Sequence, residues 1–430
     1  MNKVANDEKT VKLTRYIITL IISVLVGFIL LAVVYLLPVA SMRANVEQSY
    51  DMLEKEGISS DMIKGFDSTR LDNYSDGLIL NSAIYEGNES VLNKAAAVYQ
   101  YNQKNGNYYT ALLTMLKGGS EGLEKGSYAR DWHGYLVIIK PLLLFMNYGE
   151  IILLNMFLQI MLVMSVVMAM DKAGLKKYIP GYGISLFFLS WATISFSLEF
   201  SVVFYIFNIS SLVLLKHFDE LEKNGNIPLL FMLTGVYVSY MDVLTYPIVS
   251  LGIPMILYFL MKRDEYSSIN NTIKKILNLG VCWSFGYLGM WGGKWIIASM
   301  FTGKNVLKEA ILMVLYRMSG ESSDSGTLVD FGYMDILKRN FGVYAGTPYI
   351  ICLVVLAIAA IYFILKYKTN FDIRRVLPLV TVGCMPLIWY FLVKNHSYVH
   401  YWMTHRDIVL IVFSLYCIIA EAITTNKRKI

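Results

Sequence analysis

Charge is scarce in this sequence. Asp, Glu, Lys and Arg make up 16% of its 430 residues, against about 25% in soluble domains. A length of this order would otherwise suggest two or three soluble domains, and the missing charge excludes an ordinary soluble enzyme. Cysteine is equally sparse. Cys282, Cys352, Cys384 and Cys417 all fall inside apolar runs, which excludes an external disulfide framework and shows no metal-ligand spacing. Of only five histidines, His133, His396, His400 and His405 lie outside the apolar runs, and His217 ends one. The formal net charge is +6, but the basic residues flank apolar runs as topology determinants do. They form no stripe of the kind that tracks a nucleic-acid backbone.

Apolar residues are what the chain does have, at 56% of the total. They cluster in runs of about 20, enough to cross a bilayer. Ten spans are expected, at about 16–38, 151–170, 180–197, 200–216, 227–241, 243–261, 276–298, 347–365, 377–394 and 407–423. The first run, Tyr16 to Ala40, is too long for a signal h-region and reads as a retained helix. Segment 135–147 is short, contains Lys140 and Pro141, and reads as interfacial or re-entrant.

With the N-terminus inside, the clusters at Lys9/Lys12/Arg15, Lys172/Lys176/Lys177, Lys262/Arg263/Lys274/Lys275, Lys366/Lys368/Arg374/Arg375 and Lys427/Arg428/Lys429 all face the cytoplasm. The short outer connections carry only Lys394 and Arg406. That asymmetry satisfies the positive-inside rule and places both termini in the cytoplasm.

Two long outer loops follow, about 40–150 and 300–346. Helices are expected at Val46–Glu56, Val91–Tyr101 and Tyr108–Leu116 in the first. In the second, an amphipathic helix at Val306–Met318 could lie on the membrane surface, and Ser319 to Gly326 has loop composition.

The chemically informative residues gather on the side assigned to the outside. The first loop holds Asp72, Tyr74 and Asp76, then Asp131, Trp132, His133 and Lys140. Asp242 ends a span, and Lys294 sits between Trp291 and Trp295. His396, His400, His405 and Arg406 join the last two spans. Each has a structural alternative. Trp132, Trp291, Trp295, Tyr398 and Trp402 fit an interfacial aromatic belt. Lys294 fits a snorkelling lysine, and Asp242 needs a cavity or a partner near lipid. His396 and His400 share a helical face, but zinc would require further ligands and only a remote His133 or Asp is at hand, so no metal is assigned.

As a set these residues describe transfer chemistry at a phosphate. Outer-loop carboxylates can deprotonate a hydroxyl. Lys294, His400 and Arg406 can hold a phosphate, Arg in bidentate fashion and Lys as a point charge. Aromatic rings can cover the apolar face of a sugar or an isoprenoid.

The layout resembles that of GT-C-type membrane glycosyltransferases of the bacterial cell-surface polysaccharide and teichoic-acid type: a first membrane helix, a long outer loop with juxtamembrane helices, then further spans. The segments carrying the resemblance are Asn73-Tyr74-Ser75-Asp76-Gly77, Trp132-His133-Gly134-Tyr135 through Lys140-Pro141-Leu142-Leu143, Asp242-Val243-Leu244-Thr245-Tyr246-Pro247, and His400-Tyr401-Trp402-Met403-Thr404-His405-Arg406. The resemblance implies an all-α polytopic, GT-C-like fold in one transmembrane domain over 1–430, in the bacterial cytoplasmic membrane. It implies a polyprenyl-phosphate-linked sugar as donor, with no other cofactor. The acceptor would be a cell-envelope glycan, teichoic acid or glycolipid on the outer face.

Asp76 looks like the family's base, with Asp72 and Asp131 as alternatives. Tyr74, Trp132, His133, Lys140, Asp242, Lys294, His396, His400 and Arg406 are the expected substrate contacts. The family's usual Asp-x-Asp or Glu-x-Asp pair is not seen in this loop; Asp72 and Asp76 are four apart. Only about seven residues follow the last expected span, which points to a compact monosaccharide transferase.

Other functions make different demands. A transporter or flippase needs polar groups deep in several spans, and Asn155, Gln159, Ser190 and Asn208 are the weak candidates. No internal repeat is visible, against an inverted-repeat transporter. A polymerase or ligase could use the same loop and cations. An acyltransferase would ask for a His–Asp pair such as His396 or His400 with Asp407.

Overall fold

The computed structural model describes residues 2–104, 106–119, 121–265, 268–324, 327–369 and 372–427. The chain is largely helical, with several long apolar helices of a polytopic membrane-type fold. The helices that position the site are α1 (Asn2–Val34), α2 (Asn73–Ala83), α3 (Leu136–Leu143), α4 (Tyr148–Lys172), α5 (Leu198–Lys216), α6 (Ile227–Met241), α7 (Val249–Met261), α8 (Ile269–Thr302), α9 (Val306–Met318), α10 (Thr347–Lys366), α11 (Ile373–Leu392) and α12 (Val409–Ala422).

Among the described residues, six stretches are long and apolar enough to cross a membrane: Leu13–Val34, Tyr148–Lys172, Leu198–Lys216, Thr347–Lys366, Ile373–Leu392 and Tyr401–Ala422. They answer to six of the ten expected spans. The other four fall short for separate reasons. Segment 180–197 is split into helices Ile179–Phe188 and Trp191–Ile194, with Ser190 in the left-handed region at φ 57° between them. At 15 and 13 residues, α6 and α7 reach about 22 and 20 Å, less than the roughly 30 Å of a hydrocarbon core. Helix α8 runs for 34 residues, but its glycines and its lysines Lys274, Lys275 and Lys294 dilute its apolarity.

The long loops are more structured than their composition indicates. The helix expected at Val46–Glu56 is two, Val39–Glu47 and Tyr50–Glu56. The one expected at Val91–Tyr101 stops at Ala97, where Val98 turns to φ 46°. The chain then forms strand Tyr99–Gln103, paired antiparallel with Leu123–Ser127. Tyr108–Leu116 is helical as expected, capped by the Asn107 side chain. Lys140-Pro141 lies in the eight-residue α3, as suits an interfacial segment. After α9, a hairpin pairs Glu321–Asp324 with Thr327–Asp330 where a loop was expected. Residues 325 and 326 lie outside the described residues, as do Arg428 and Lys429.

Two packing arrangements fix the frame. The first is a helix crossing at van der Waals contact. A Cβ on Gly235 of α6 would lie 2.1 Å from the Trp283 carbonyl, and one on Gly286 of α8 would lie 2.0 Å from the Met232 carbonyl. The glycines therefore face each other's backbones, the small-residue packing that serves helices in lipid. The second is the opposite extreme. Ile351, Val355, Ile358 and Ile361 of α10 are exposed, a contiguous apolar face that water does not tolerate and lipid does.

Substituting Gly286→Ala should wedge α6 from α8 and destabilise the protein by about 1–3 kcal/mol, as overpacking does. A lowered thermal unfolding midpoint in detergent would report it. Gly280→Ala on the same helix meets nothing within 4 Å, so its midpoint should match or slightly exceed the parent's.

Candidate functional site

Helix α2 is pinned at both ends by residues the sequence marks as chemical. Asp72 caps its N-terminus, accepting from the Ser75 amide at 3.1 Å and the Ser75 hydroxyl at 2.8 Å. One turn on, Asp76 reaches across to α5. Its Oδ2 accepts from the Tyr148 hydroxyl at 2.7 Å and the Leu198 amide at 2.9 Å. Its Oδ1 accepts from the Glu199 amide at 3.0 Å and the Ser197 hydroxyl at 3.3 Å.

Ser197 gives α5 no side-chain cap of its own, so Asp76 supplies one from 121 residues away, placing an anion where the helix dipole is positive. Asp76 is fully buried, and burial pushes its carboxyl up to about 6. At the other end of α2, the Lys140 ammonium donates to the Ala83 carbonyl at 2.6 Å and lies 5.0 Å from the centre of the Tyr35 ring. Burial lowers it to about 7.

A second group of expected contacts is built into the first loop's attachment to α8. Trp132 is fully buried, not part of an interfacial belt, and donates to the Met290 carbonyl at 2.7 Å. Trp291 donates to Asp131 Oδ1 at 2.9 Å and the Arg130 carbonyl at 3.1 Å, and Trp295 donates to the same carbonyl at 3.0 Å. These indoles clamp residues 130–132.

The chain then turns sharply at His133, φ 53°. The Gly134 amide donates to the Tyr240 carbonyl at 2.8 Å, and a Cβ there would lie 2.4 Å from the Tyr240 ring. His133 Nδ1 meets the Tyr135 hydroxyl, and burial, aided by the nearby Lys294 charge, lowers the ring to about 3. Lys294 itself is buried, donating to the Ala95 carbonyl at 3.1 Å with its ammonium 5.3 Å from the Trp132 ring centre.

Asp242 organises the turn between α6 and α7. It accepts from the amides of Leu244 and Thr245, each at 3.0 Å, and from the Thr245 hydroxyl, while Leu244 sits at φ 75°. Burial pushes its carboxyl up to about 7. Tyr74 is 40% exposed beside the Tyr108 ring, at 5.5 Å.

Beside this scaffold lies a cavity of about 390 Å³. Its walls are apolar and aromatic: Trp283, Tyr287 and Trp291 of α8, Met313 and Val314 of α9, and Trp389 of α11. Arg130, Asp131, Arg317 and His396 supply its polar groups. Arg130 pairs with Glu309 at 3.2 Å, and Arg317 Nη1 is 2.8 Å from His400 Nε2. Burial raises the Asp131 carboxyl.

From there a row of side chains leads to Asp72. The His400 ring lies 4.8 Å from His396 and 5.0 Å from Trp402. Trp402 in turn neighbours Asp72, which also feels the Arg406 charge, while burial raises the Asp72 carboxyl. Arg406 is fully buried, 3.8 Å from the Phe200 ring centre, and donates to the Trp402 carbonyl. Among the described residues its Nε and Nη2 have no hydrogen-bond partner, nor have Glu199 Oε2 and both oxygens of Asp407.

The structure therefore splits the expected set. Asp131 and His396 meet at the cavity, and His400 and Arg406 both contact Trp402, the neighbour of Asp72. Lys294 is elsewhere: among the described residues no hydrogen bond or ion pair joins it to His400 or Arg406. Nor does one join His396 or His400 to Asp407.

The midspan polar residues are occupied within the fold. Asn155 donates to Ser195 O and Ser201 Oγ, each at 2.8 Å, Gln159 donates to Ser201 Oγ at 2.9 Å, Asn208 donates to Phe204 O at 2.9 Å, and Ser190 meets the Tyr349 hydroxyl at 3.0 Å. Arg130 and Arg317 were not among the expected contacts. The sequence held a signal for one of them: Arg317 stands seven residues after Ala310, on the same stripe of an amphipathic helix.

Asp76→Ala should strand buried donors on α5 and Tyr148 and destabilise by roughly 3 kcal/mol, whereas Asp76→Asn keeps an acceptor oxygen and should lose less. Thermal unfolding in detergent separates the two. Two neutral histidines, His133 buried and His400 half-buried, add a pH dependence. Burial, then Arg317, holds His400 at about 3, and His133 is also near 3, against about 6.5 when unfolded. Below that the unfolded chain binds more protons, so their contribution is complete above pH ~6.5 and is lost as pH falls toward 3. Each contributes up to about 1.4 kcal/mol per pH unit, and His400→Gln should flatten the slope of stability against pH by one proton.

No family model, curated protein or solved structure matches this chain.

Proposed function

We propose that the protein is a polyprenyl-phosphate-dependent glycosyltransferase of the GT-C type, transferring a sugar to a cell-envelope glycan, teichoic acid or glycolipid. The observation that carries this reading is the aromatic cavity with two arginines, continued through His400 and Trp402 to a buried carboxylate. Its apolar walls suit the first isoprene units of a lipid tail, and Arg130 and Arg317 suit the phosphate that follows. In the positive-inside arrangement both termini are cytoplasmic and this site faces outward.

Asp72 is the better base than Asp76. Both Asp76 oxygens accept from donors on other elements, whereas Asp72 is bonded within its own turn and faces Arg406 and Trp402. In the step we assign, the acceptor hydroxyl oxygen bonds to the anomeric carbon as its proton passes to Asp72. The bond from that carbon to the phosphate oxygen breaks, and the lipid phosphate leaves with the electron pair. Arg130 and Arg317 stabilise the charge that develops there. The occupied midspan polar groups weigh against a flippase, whose path would need them free.

Asparagine preserves a helix N-cap but takes up no proton from the hydroxyl. Asp72→Asn should therefore lower transfer from a responsive lipid-linked sugar by about 100-fold or more, with lipid-phosphate binding and folding retained. Unchanged transfer in that variant would remove Asp72 from the role. Failure of the purified parent to transfer from any of a panel of lipid-linked sugars, alongside translocation of one across a vesicle, would replace the transferase reading with the flippase one.

A further inference from the structure

Arg317 and His400 meet nitrogen to nitrogen, with Nη1 and Nε2 2.8 Å apart. A guanidinium has only donors and stays protonated, so Nε2 accepts. A neutral imidazole in that position carries its proton on Nδ1. Among the described residues His400 Nδ1 is buried and has no hydrogen-bond partner, an N–H left waiting for an acceptor. The rings of His396 and Trp402 pack about the imidazole, at 4.8 and 5.0 Å.

Arg317 is itself held in place by α9. The Val306 amide at the start of that helix donates to Ser299 Oγ at 3.1 Å, and Glu309 bridges to Arg130 at 3.2 Å. Ala310, Met313 and Val314 turn toward the cavity, while Ile311, Leu312 and Leu315 are exposed on the other side, where an apolar medium would cover them.

We propose that Arg317 is a positioning residue that fixes His400 as its Nδ1–H tautomer, presenting that N–H to an anionic oxygen of an isoprenyl phosphate bound at the cavity rim. The inference rests on the lipid-phosphate reading of the cavity and not on sugar transfer. Arg317 can serve both groups, since one N–H goes to the histidine and others remain for phosphate.

The test is the ¹⁵N spectrum of histidine-labelled protein in lipid nanodiscs, with His400 assigned by its loss in His400→Gln. The parent should show Nδ1 protonated and Nε2 bare. Arg317→Lys, which still donates, should preserve that pattern, and Arg317→Met should divide the proton between the two nitrogens. Farnesyl phosphate should shift the Nδ1–H resonance in the parent and bind about tenfold more weakly to Arg317→Met, as loss of a charged hydrogen bond implies. A proton on Nε2 in the parent, an unaltered tautomer in Arg317→Met, or a resonance indifferent to saturating farnesyl phosphate would each overturn the proposal. No sugar is present, so failure here is separable from failure of the transferase reading.

Discussion

The carboxylate of Asp76 joins the two halves of this protein. It belongs to α2 in the first loop, yet its four acceptor bonds go to the start of α5 and to Tyr148 at the start of α4. A helix N-terminus buried without partners is unfavourable, and α5 is completed only when the first loop docks. That docking sets the height of α2 against the later helices, and so brings Asp72 to Trp402 and Arg406. Lys140 closes the other end of the same helix on Ala83. Two ionisable residues, Asp76 and Lys140, thus hold the helix that carries a third, Asp72.

The cavity depends on a comparable division of labour. Trp291 of α8 lines the cavity and donates its N–H to the Arg130 carbonyl and the Asp131 carboxylate. One tryptophan thereby lines an apolar wall and fixes the polar residues at its rim. The interfacial-belt reading of such residues is true of their composition and misses this geometry: a ring N–H bonded to the first loop is directional, and a belt is not.

Much of the framework was legible in the sequence because it is local. Tyr108–Leu116 and Val306–Met318 could be placed from periodicity and composition, and α3 from its length and its proline. The short α6 and α7 show the limit of counting apolar residues, since hydropathy marks burial and does not report how far a helix extends. The site was legible only as an inventory. Asp76 and Asp72 look alike in sequence, and what separates them is donors 122 residues away in one case and within the same turn in the other. Arg317 lies 83 residues from His400, and no pattern in either segment announces the pairing. Lys294 stood out for its neighbours, yet a backbone carbonyl nearly 200 residues distant, Ala95, accepts its hydrogen bond.

The glycine crossing of α6 and α8 has a mechanical consequence. With backbone against backbone, neither helix can rotate or slide past the other without a steric collision. The aromatic wall carried by α8 and the Asp242 turn carried by the end of α6 therefore behave as one truss of fixed span. Whatever compliance the cavity has must come from its opposite side, where α9 is fastened by a few polar contacts and rests on a yielding medium. The cavity is thus a vice with one fixed jaw, and any change in its width would be taken up by the other.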